Sequence, residues 1–249
     1  MNRDFDGLYC MTYMILISAA LLFLVTFTFA LIPIIWEKKS LQLNPLLSFC
    51  SGVLIATAFL YMLPAAFKLS GSDVGLYVLL GFLILYITER FIMVHPCQEH
   101  GCVSHTVGIS AFIGLSLHCI LTGFSVGIAI ESTDTIQILT PFLTAVIAHK
   151  IPESFSLSTL LIKSTLKNRN VVWFILLYCL MTPAGILLAR YSLSISVTSP
   201  LNVLIAVSTG TFIYIATSDL LPQVHHKGKN RFIHLALFVL GLFIIYILK

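Results

Sequence analysis

The stretch IQILTPFLTAVIAHKIPESFSLSTLLI, residues 136–162, is an apolar run whose middle carries His149, Lys150 and Glu153. About 20 mostly apolar residues are enough for a helix to cross a bilayer, so this run predicts a transmembrane helix. Ionisable groups at the centre of such a helix cost about 2.5–3.5 kcal/mol each on insertion scales, unless they face a cavity or a partner. The run therefore predicts both a membrane fold and a functional site inside it.

The rest of the chain has the same character. Of its 249 residues, 58% are hydrophobic and only 10% are charged, whereas soluble domains have about 25% charged residues. Polar and turn-forming clusters divide the chain into eight apolar stretches, which predict an all-α polytopic membrane protein with eight transmembrane helices in one domain, residues 1–249. The predicted spans are residues 12–36, 45–69, 74–94, 107–130, 136–162, 171–190, 201–223 and 232–248.

The basic residues predict the orientation of these spans. An even number of spans puts both termini on one side, and cytoplasmic loops carry the excess of Lys and Arg. External termini leave nine basic residues in cytoplasmic loops and four outside. The nine are Lys38, Lys39, Arg90, Lys163, Lys167, Arg169, Lys227, Lys229 and Arg231. We therefore expect a multi-pass protein of the plasma membrane or an organelle membrane, with both termini on the non-cytoplasmic side. The net charge is only +4 and the basic residues are scattered along the chain, which argues against a nucleic-acid partner.

Spans 2 and 7 resemble each other. GVLIATAFLYMLP, residues 52–64, aligns without gaps to GTFIYIATSDLLP, residues 210–222, with five identities that include Gly52/Gly210 and Pro64/Pro222. The two spans cross the membrane in opposite directions, as the halves of an inverted repeat do in many transporters. We expect such a repeat to relate helices 1–3 to helices 6–8. The alternative is a chance match within the restricted alphabet of membrane helices.

Three ionisable residues predict a metal site between helices 4 and 5. His149 and Glu153 are four residues apart and share one helix face, and His118 lies at a similar depth in span 4. Gly123 and Gly127 give span 4 a small-residue face that allows close helix approach. Two imidazoles and one carboxylate suit Zn²⁺ and also accept Fe²⁺, Mn²⁺ or Cd²⁺. For His118 alone, the alternative is a buried histidine bonded to a backbone carbonyl.

Two further groups lie on the predicted cytoplasmic side. The loop between spans 3 and 4 is rich in histidine and cysteine, a composition typical of metal binding. Its candidate ligands are His95, Cys97, His100, Cys102 and His105. A polar loop with an accidental excess of these residues is the alternative. Asp219, towards the cytoplasmic end of span 7, is assigned to the exit path of the metal.

At these residues the sequence resembles the ZIP family of zinc and iron-regulated transporters. The family's helix 4 pattern, His-Ser-x-x-x-Gly-x-x-x-Gly, appears as HCILTGFSVG from His118, and its helix 5 pattern, His-x-x-x-Glu, as HKIPE from His149. The segments 52–64 and 210–222 resemble its helices 2 and 7. The resemblance implies eight transmembrane helices, external termini, a cytoplasmic loop between helices 3 and 4 that is often rich in histidine, a homodimer, and a metal that is transported substrate and not cofactor.

Some site residues depart from the family pattern. Cys119 replaces Ser or Asn, Thr122 replaces a frequent Glu, and Lys150 replaces the Asn or Asp of members that bind two metals. Because an ammonium repels a second dication, we expect one transported metal. Cys119 and Thr122 are candidate fourth contacts beside the three main ligands, and a Cys119 thiolate would favour softer ions.

The sequence therefore predicts a divalent metal transporter, and not an enzyme, whose partners are the metal ion and the lipid bilayer. We expect it to carry zinc, or alternatively iron, manganese or cadmium, into the cytoplasm by alternating access through a single mid-membrane site. The inside-negative membrane potential would draw the cation inward. One alternative is an intramembrane zinc hydrolase with Glu153 as general base, although the chain lacks a His-Glu-x-x-His motif. The other is a proton-coupled carrier of organic solutes that uses the same residues as a proton relay.

Overall fold

In a computed structural model, the structure describes residues 2–38, 43–70, 73–92, 103–132, 136–164, 166–192, 200–224 and 231–247. All regular secondary structure in these ranges is helical, and they contain no strand, which confirms the all-α prediction. The α-helices are α1 Asn2–Lys38, α2 Asn44–Thr57, α3 Leu63–Ser70, α4 Val74–Ile92, α5 Val103–Ser132, α6 Ile136–Lys163, α7 Asn168–Ser192, α8 Pro200–Tyr214, α9 Leu221–Val224 and α10 Arg231–Ile247.

Each of the eight apolar stretches overlaps a helix in the described residues, with spans 4 and 5 overlapping α5 and α6. Among the described residues, five helical segments are long and apolar enough to cross a membrane. These are Met11–Trp36, Asn44–Phe67, Val74–Phe91, Ala111–Glu131 and Arg169–Tyr191. Val203–Ser218 and Arg231–Ile247 are shorter apolar helices. The lengths fit an integral, multi-pass membrane protein.

Two of the predicted spans contain a π-helical turn, in each case past the midpoint of the span along the chain. Ala58–Met62 joins α2 to α3, and Ile215–Leu220 joins α8 to α9. In each turn a leucine N–H reaches back five residues, from Leu63 to the carbonyl of Ala58 in the first turn and from Leu221 to the carbonyl of Ala216 in the second. A proline follows each leucine, and a proline ring has no N–H and crowds the carbonyl four residues earlier. The wider turn accommodates the proline without ending the span.

Polarity is distributed as expected for a protein dissolved in lipid. Large apolar side chains lie exposed on the outer faces of α1, α4, α7 and α10; Ile17, Leu80, Leu180 and Leu240 are examples. Four ionisable side chains, those of His118, His149, Lys150 and Glu153, are buried inside the bundle instead. Exposed apolar surface of this extent is typical of an integral membrane protein.

The helices pack in pairs at glycines, most extensively α5 with α7, α2 with α10 and α4 with α8. A Cβ added at Gly123 of α5 would lie 2.1 Å from the carbonyl oxygen of Thr182 in α7. Real Cβ atoms essentially never come within 3.0 Å of another heavy atom in this way. The backbones of α5 and α7 therefore meet at Gly123, which brings α7 against the site-bearing face of α5.

The pairs α2 with α10 and α4 with α8 use glycines reciprocally. An added Cβ at Gly52 would lie 2.1 Å from the carbonyl oxygen of Phe238, and one at Gly241 would lie 2.4 Å from that of Phe49. In the other pair, a Cβ at Gly210 would lie 1.9 Å from the carbonyl oxygen of Val78, and one at Gly81 would lie 2.0 Å from that of Val207. Each helix thus supplies a glycine to the backbone of its neighbour.

Candidate metal centre

Two antiparallel helices bring the three predicted ligands together. His118 projects from α5, and His149 and Glu153 project from one face of α6, one turn apart. All three side chains are buried. One ligand atom from each residue lies within 4.8 Å of the other two, and the two imidazole centroids are 5.9 Å apart. The four-residue spacing of His149 and Glu153, together with the packing of α5 against α6, therefore produces a compact cluster of two nitrogen ligand atoms and one oxygen ligand atom.

The ring of His118 is held from both sides. Its Nδ1 lies 3.0 Å from the Ser208 hydroxyl and 3.4 Å from the Ser208 carbonyl oxygen. Its Nε2 lies 3.2 Å from the hydroxyl of Thr122. If Nδ1–H donates to Ser208, Nε2 keeps the lone pair that a metal requires. A metal ion would take this lone pair from the Thr122 hydroxyl, which would then lie beside the ion.

The ring of His149 has a hydrogen-bond partner on one of its two nitrogens within the described part of the chain. Its Nδ1–H donates to the carbonyl of Ala145, 2.9 Å away in the preceding turn of α6. This bond fixes the tautomer and leaves the lone pair on Nε2. Nε2 is buried and makes no hydrogen bond to any residue that the structure describes. A buried nitrogen without a partner is costly, and a bound cation is the kind of partner that would satisfy it.

Glu153 is bound by three donors from three helices. Lys150 of α6 donates to both carboxylate oxygens, at 3.1 Å to Oε1 and 2.9 Å to Oε2. The Tyr178 hydroxyl of α7 and the Cys119 thiol of α5 both donate to Oε1, at 2.9 and 3.2 Å. Lys150 and Glu153 form a fully buried ion pair. The carboxylate is therefore oriented rigidly by its neighbours.

The other predicted site residues lie at different places. Cys119 Sγ faces Lys150 and Glu153, whereas Thr122 faces His118. Asp219 lies in the π-helical turn Ile215–Leu220, and its side chain is outside the described part of the chain. The loop ligands His95, Cys97, His100 and Cys102 lie outside the described residues; His105 falls at the start of α5, without a described side chain.

Three residues of the site were not found from the sequence. These are Ser208, Tyr178 and Phe212, whose ring centroid lies 4.5 Å from that of His118 and 5.7 Å from that of His149. Phe212 belongs to the segment of span 7 that resembles span 2. This resemblance concerns the position of the helix in the bundle and does not predict that Phe212 contacts the site. Ser208 and Tyr178 carried no spacing signal, because they reach the site through helix packing alone.

Ser208→Ala is expected to weaken zinc binding by about tenfold, the lower range for losing a group that orients a metal ligand. The substitution removes the hydroxyl that holds Nδ1 of His118. Equilibrium zinc titration of the purified chain measures the effect, in a Cys97→Ser/Cys102→Ser background that removes the two thiols of the loop. Ser125→Ala is the matched control, because its hydroxyl bonds only the Leu121 carbonyl of its own helix. Unchanged affinity in Ser208→Ala would contradict the orienting role.

Comparison with known proteins decides the family. The model of the family described as "ZIP Zinc transporter" matches residues 95–249, more than half of the chain and all of the clustered ligands. The chain belongs to the ZIP zinc transporter family. The resemblance read from the sequence motifs is thereby confirmed.

Relatives with curated descriptions agree with this ZIP assignment. Zinc transporter ZIP9 of Micropogonias undulatus is 28% identical over 167 residues, which cover 64% of this chain and 54% of that protein. Zinc transporter 8 of Oryza sativa subsp. japonica is 31% identical over 134 residues, 47% of this chain and 32% of that protein. Zinc transporter ZIP1 of Danio rerio is 26% identical over 133 residues, 52% of this chain and 43% of that protein. The matches span about half or less of each relative.

The family assignment decides between the classes considered above. ZIP family proteins are transporters and not enzymes, so the prediction that the chain is not an enzyme is confirmed. The intramembrane hydrolase has no support from the family. The alternative of a proton-coupled carrier of organic solutes also has no support from these comparisons, because the relatives are described as zinc transporters.

Proposed function

We propose that this ZIP family protein carries a divalent cation, zinc foremost, across the membrane into the cytoplasm through one site formed by His118, His149 and Glu153. The observation that carries the proposal is the convergence of these three buried groups, with ligand atoms within 4.8 Å of one another. The Nε2 of His149, which has no hydrogen-bond partner among the residues that the structure describes, adds to this support. Such groups are rare at membrane depth and mark the pathway of an ion when they occur.

The donor set supports zinc as the first substrate. Two imidazole nitrogens and a carboxylate oxygen are the ligands of many tetrahedral zinc sites, and they leave a position for water or a further side chain. Thr122 lies beside His118 and Cys119 beside Glu153, so each is a candidate fourth contact. Iron, manganese and cadmium are the competing substrates, and use of the Cys119 sulfur would favour cadmium.

Lys150 supports a site for one metal. Its ammonium lies 2.9 Å from Glu153 Oε2, so the carboxylate oxygens are already shared with a fixed positive charge. A second dication bridged by Glu153 would have to sit beside this charge, and the repulsion is strong where water is excluded. We therefore assign to Lys150 the exclusion of a second metal.

An inverted repeat of helices 1–3 and 6–8 is part of the proposal. The reciprocal glycine contacts support it: Gly52 and Phe49 correspond to Gly210 and Val207 at an offset of 158, and Gly81 and Val78 to Gly241 and Phe238 at an offset of 160. The same offset of 158 carries the π-helical turn Ala58–Met62 onto residues 216–220. Both features favour the repeat over a chance similarity of two apolar segments. Two such halves could rock against the central helices α5 and α6 and expose the site to each side in turn.

The direction of transport follows from charge. An inside-negative membrane potential contributes about 2.3 kcal/mol per elementary charge per 100 mV, so a dication without a compensating ion is drawn inward. With external termini, Asp219 and the loop ligands lie on the cytoplasmic side, where they would receive the ion. The proposed assembly is a homodimer, which rests on the family resemblance alone.

The proposed function is tested by metal entry into proteoliposomes that contain the native chain. We expect time-dependent, saturable zinc uptake that is faster at an imposed inside-negative potential than at zero potential. Parallel assays with Fe²⁺, Mn²⁺ and Cd²⁺ measure selectivity. Protein-free vesicles are the control. A folded, zinc-binding protein that admits no metal would contradict transport, and uptake that is insensitive to potential would contradict the proposed driving force.

A further inference from the structure

We infer that Lys150 is a tethered cation that occupies the Glu153 carboxylate when no metal is bound, and that the transported ion must displace it. Lys150 thereby sets the affinity of the site and helps to release the metal. The inference rests on the proposed function, because it assigns the competitor for the same carboxylate. It differs from the exclusion of a second metal, since the competition here is with the transported ion itself.

The contacts of Lys150 support this role. Its ammonium has three N–H donors, and three acceptors lie within reach: Oε1 and Oε2 of Glu153, and the sulfur of Cys119 at 2.9 Å. The side chain has no exposed surface. A cation buried this deeply needs an anion next to it, and the anion in this case is a proposed metal ligand. The resting site is therefore neutral and fully hydrogen-bonded at Glu153.

A metal bound by the three ligands would disturb this arrangement. One carboxylate oxygen of Glu153 belongs to the cluster whose ligand atoms lie within 4.8 Å, so an ion held there would sit close to the ammonium. Both positive charges would compete for one carboxylate in a buried region, where like charges repel more strongly than they do at the surface. Tyr178 and Cys119 remain on Oε1 and keep the carboxylate in place. The ammonium is the group that must withdraw.

The exchange has a consequence for transport. When the metal leaves, the ammonium returns to Glu153 over a short distance, because both residues lie on adjacent turns of α6. Metal release then does not leave an unpaired carboxylate in the membrane, which would be costly. A protein without this lysine is expected to hold zinc more tightly and to release it more slowly. The two effects separate in a saturation curve as a lower KM and a lower kcat.

The test is equilibrium zinc binding to the purified chain in the Cys97→Ser/Cys102→Ser background. We expect Lys150→Met, which keeps the length of the side chain without its charge, to bind zinc at least about tenfold more tightly, as expected when a nearby charge is removed from a buried site. Lys150→Arg keeps the charge and should stay near the native affinity. In a Glu153→Gln background, Lys150→Met should change the affinity little, since the contested carboxylate is gone.

Lys150→Met leaves Glu153 unpaired in the metal-free state, so its stability is measured as well. If the metal-free variant is too unstable to isolate, it is purified with zinc, and its Tm should fall on chelation by more than the native Tm does. His149-dependent zinc binding by the native chain, together with equal or weaker binding by Lys150→Met, would overturn the inference and leave the proposed function intact. Absence of zinc binding by the native chain would contradict the proposed function itself.

Discussion

His149→Ala is expected to lower the affinity for zinc by about 100-fold or more. The substitution removes one of the three proposed ligands and the nitrogen whose lone pair has no other partner among the described residues. Loss of a group that only orients a ligand costs 10- to 100-fold, so loss of the ligand itself should cost at least the upper value. The change is measured by zinc titration of the purified chain in the Cys97→Ser/Cys102→Ser background.

His234→Ala is the matched control for this experiment. His234 lies in α10, and its Nδ1 is 2.7 Å from the hydroxyl of Ser48 in α2. It is a histidine bonded to a neighbouring helix and lies outside the ligand cluster. Its substitution should leave zinc affinity near the native value. Equal losses in His234→Ala and His149→Ala would mean that the binding change reflects damage to the bundle, and an unaffected His149→Ala would remove His149 from the site.

Gly210→Ala is expected to produce the largest loss of stability among the glycine substitutions. The added Cβ would lie 1.9 Å from the carbonyl oxygen of Val78, and a backbone oxygen cannot rotate away as a side chain can. The helices α8 and α4 must separate, which costs about 1–3 kcal/mol or more when a packed interface is overfilled. Gly52→Ala should cost a similar amount, because Gly52 meets the backbone of α10 in the corresponding way. Thermal unfolding of the purified chains measures both.

Gly75→Ala provides the control, since an added Cβ at that position meets nothing within 4 Å. Gly75 lies in the first turn of α4, so alanine should be neutral there or slightly stabilising. A small loss for Gly210→Ala and a large loss for Gly52→Ala would contradict the equivalence of the two helix pairs. It would weaken the proposed inverted repeat without affecting the metal centre.

The sequence was sufficient for the parts of the structure that depend on local pattern. Long apolar stretches predicted the helices, because the bilayer leaves few other structures possible. The four-residue spacing of His149 and Glu153 predicted that they share a face. The ion pair between Lys150 and Glu153 was also within reach, since residues three apart are neighbours on a helix. The expectation that Lys150 repels a second metal does not by itself include this pairing.

Other parts of the site could not be predicted in this way. Ser208 and Tyr178 reach the ligands through contacts between helices that are distant in sequence, and no spacing rule connects them to His118 or Glu153. The π-helical turns had a local signal in Pro64 and Pro222, yet a proline alone does not distinguish a kink from a widened turn. The small residues of span 4, such as Gly123, predicted that another helix approaches closely. They did not predict that this helix is α7.

The most direct test of the central claim is zinc entry into proteoliposomes, compared between the native chain and His149→Ala at the same inside-negative potential. Equal amounts of reconstituted protein and the His234→Ala chain serve as controls. We predict that zinc accumulates with the native chain and with His234→Ala and does not accumulate with His149→Ala. Zinc entry at the native rate through His149→Ala would contradict the claim that the transported ion passes through the site formed by His118, His149 and Glu153.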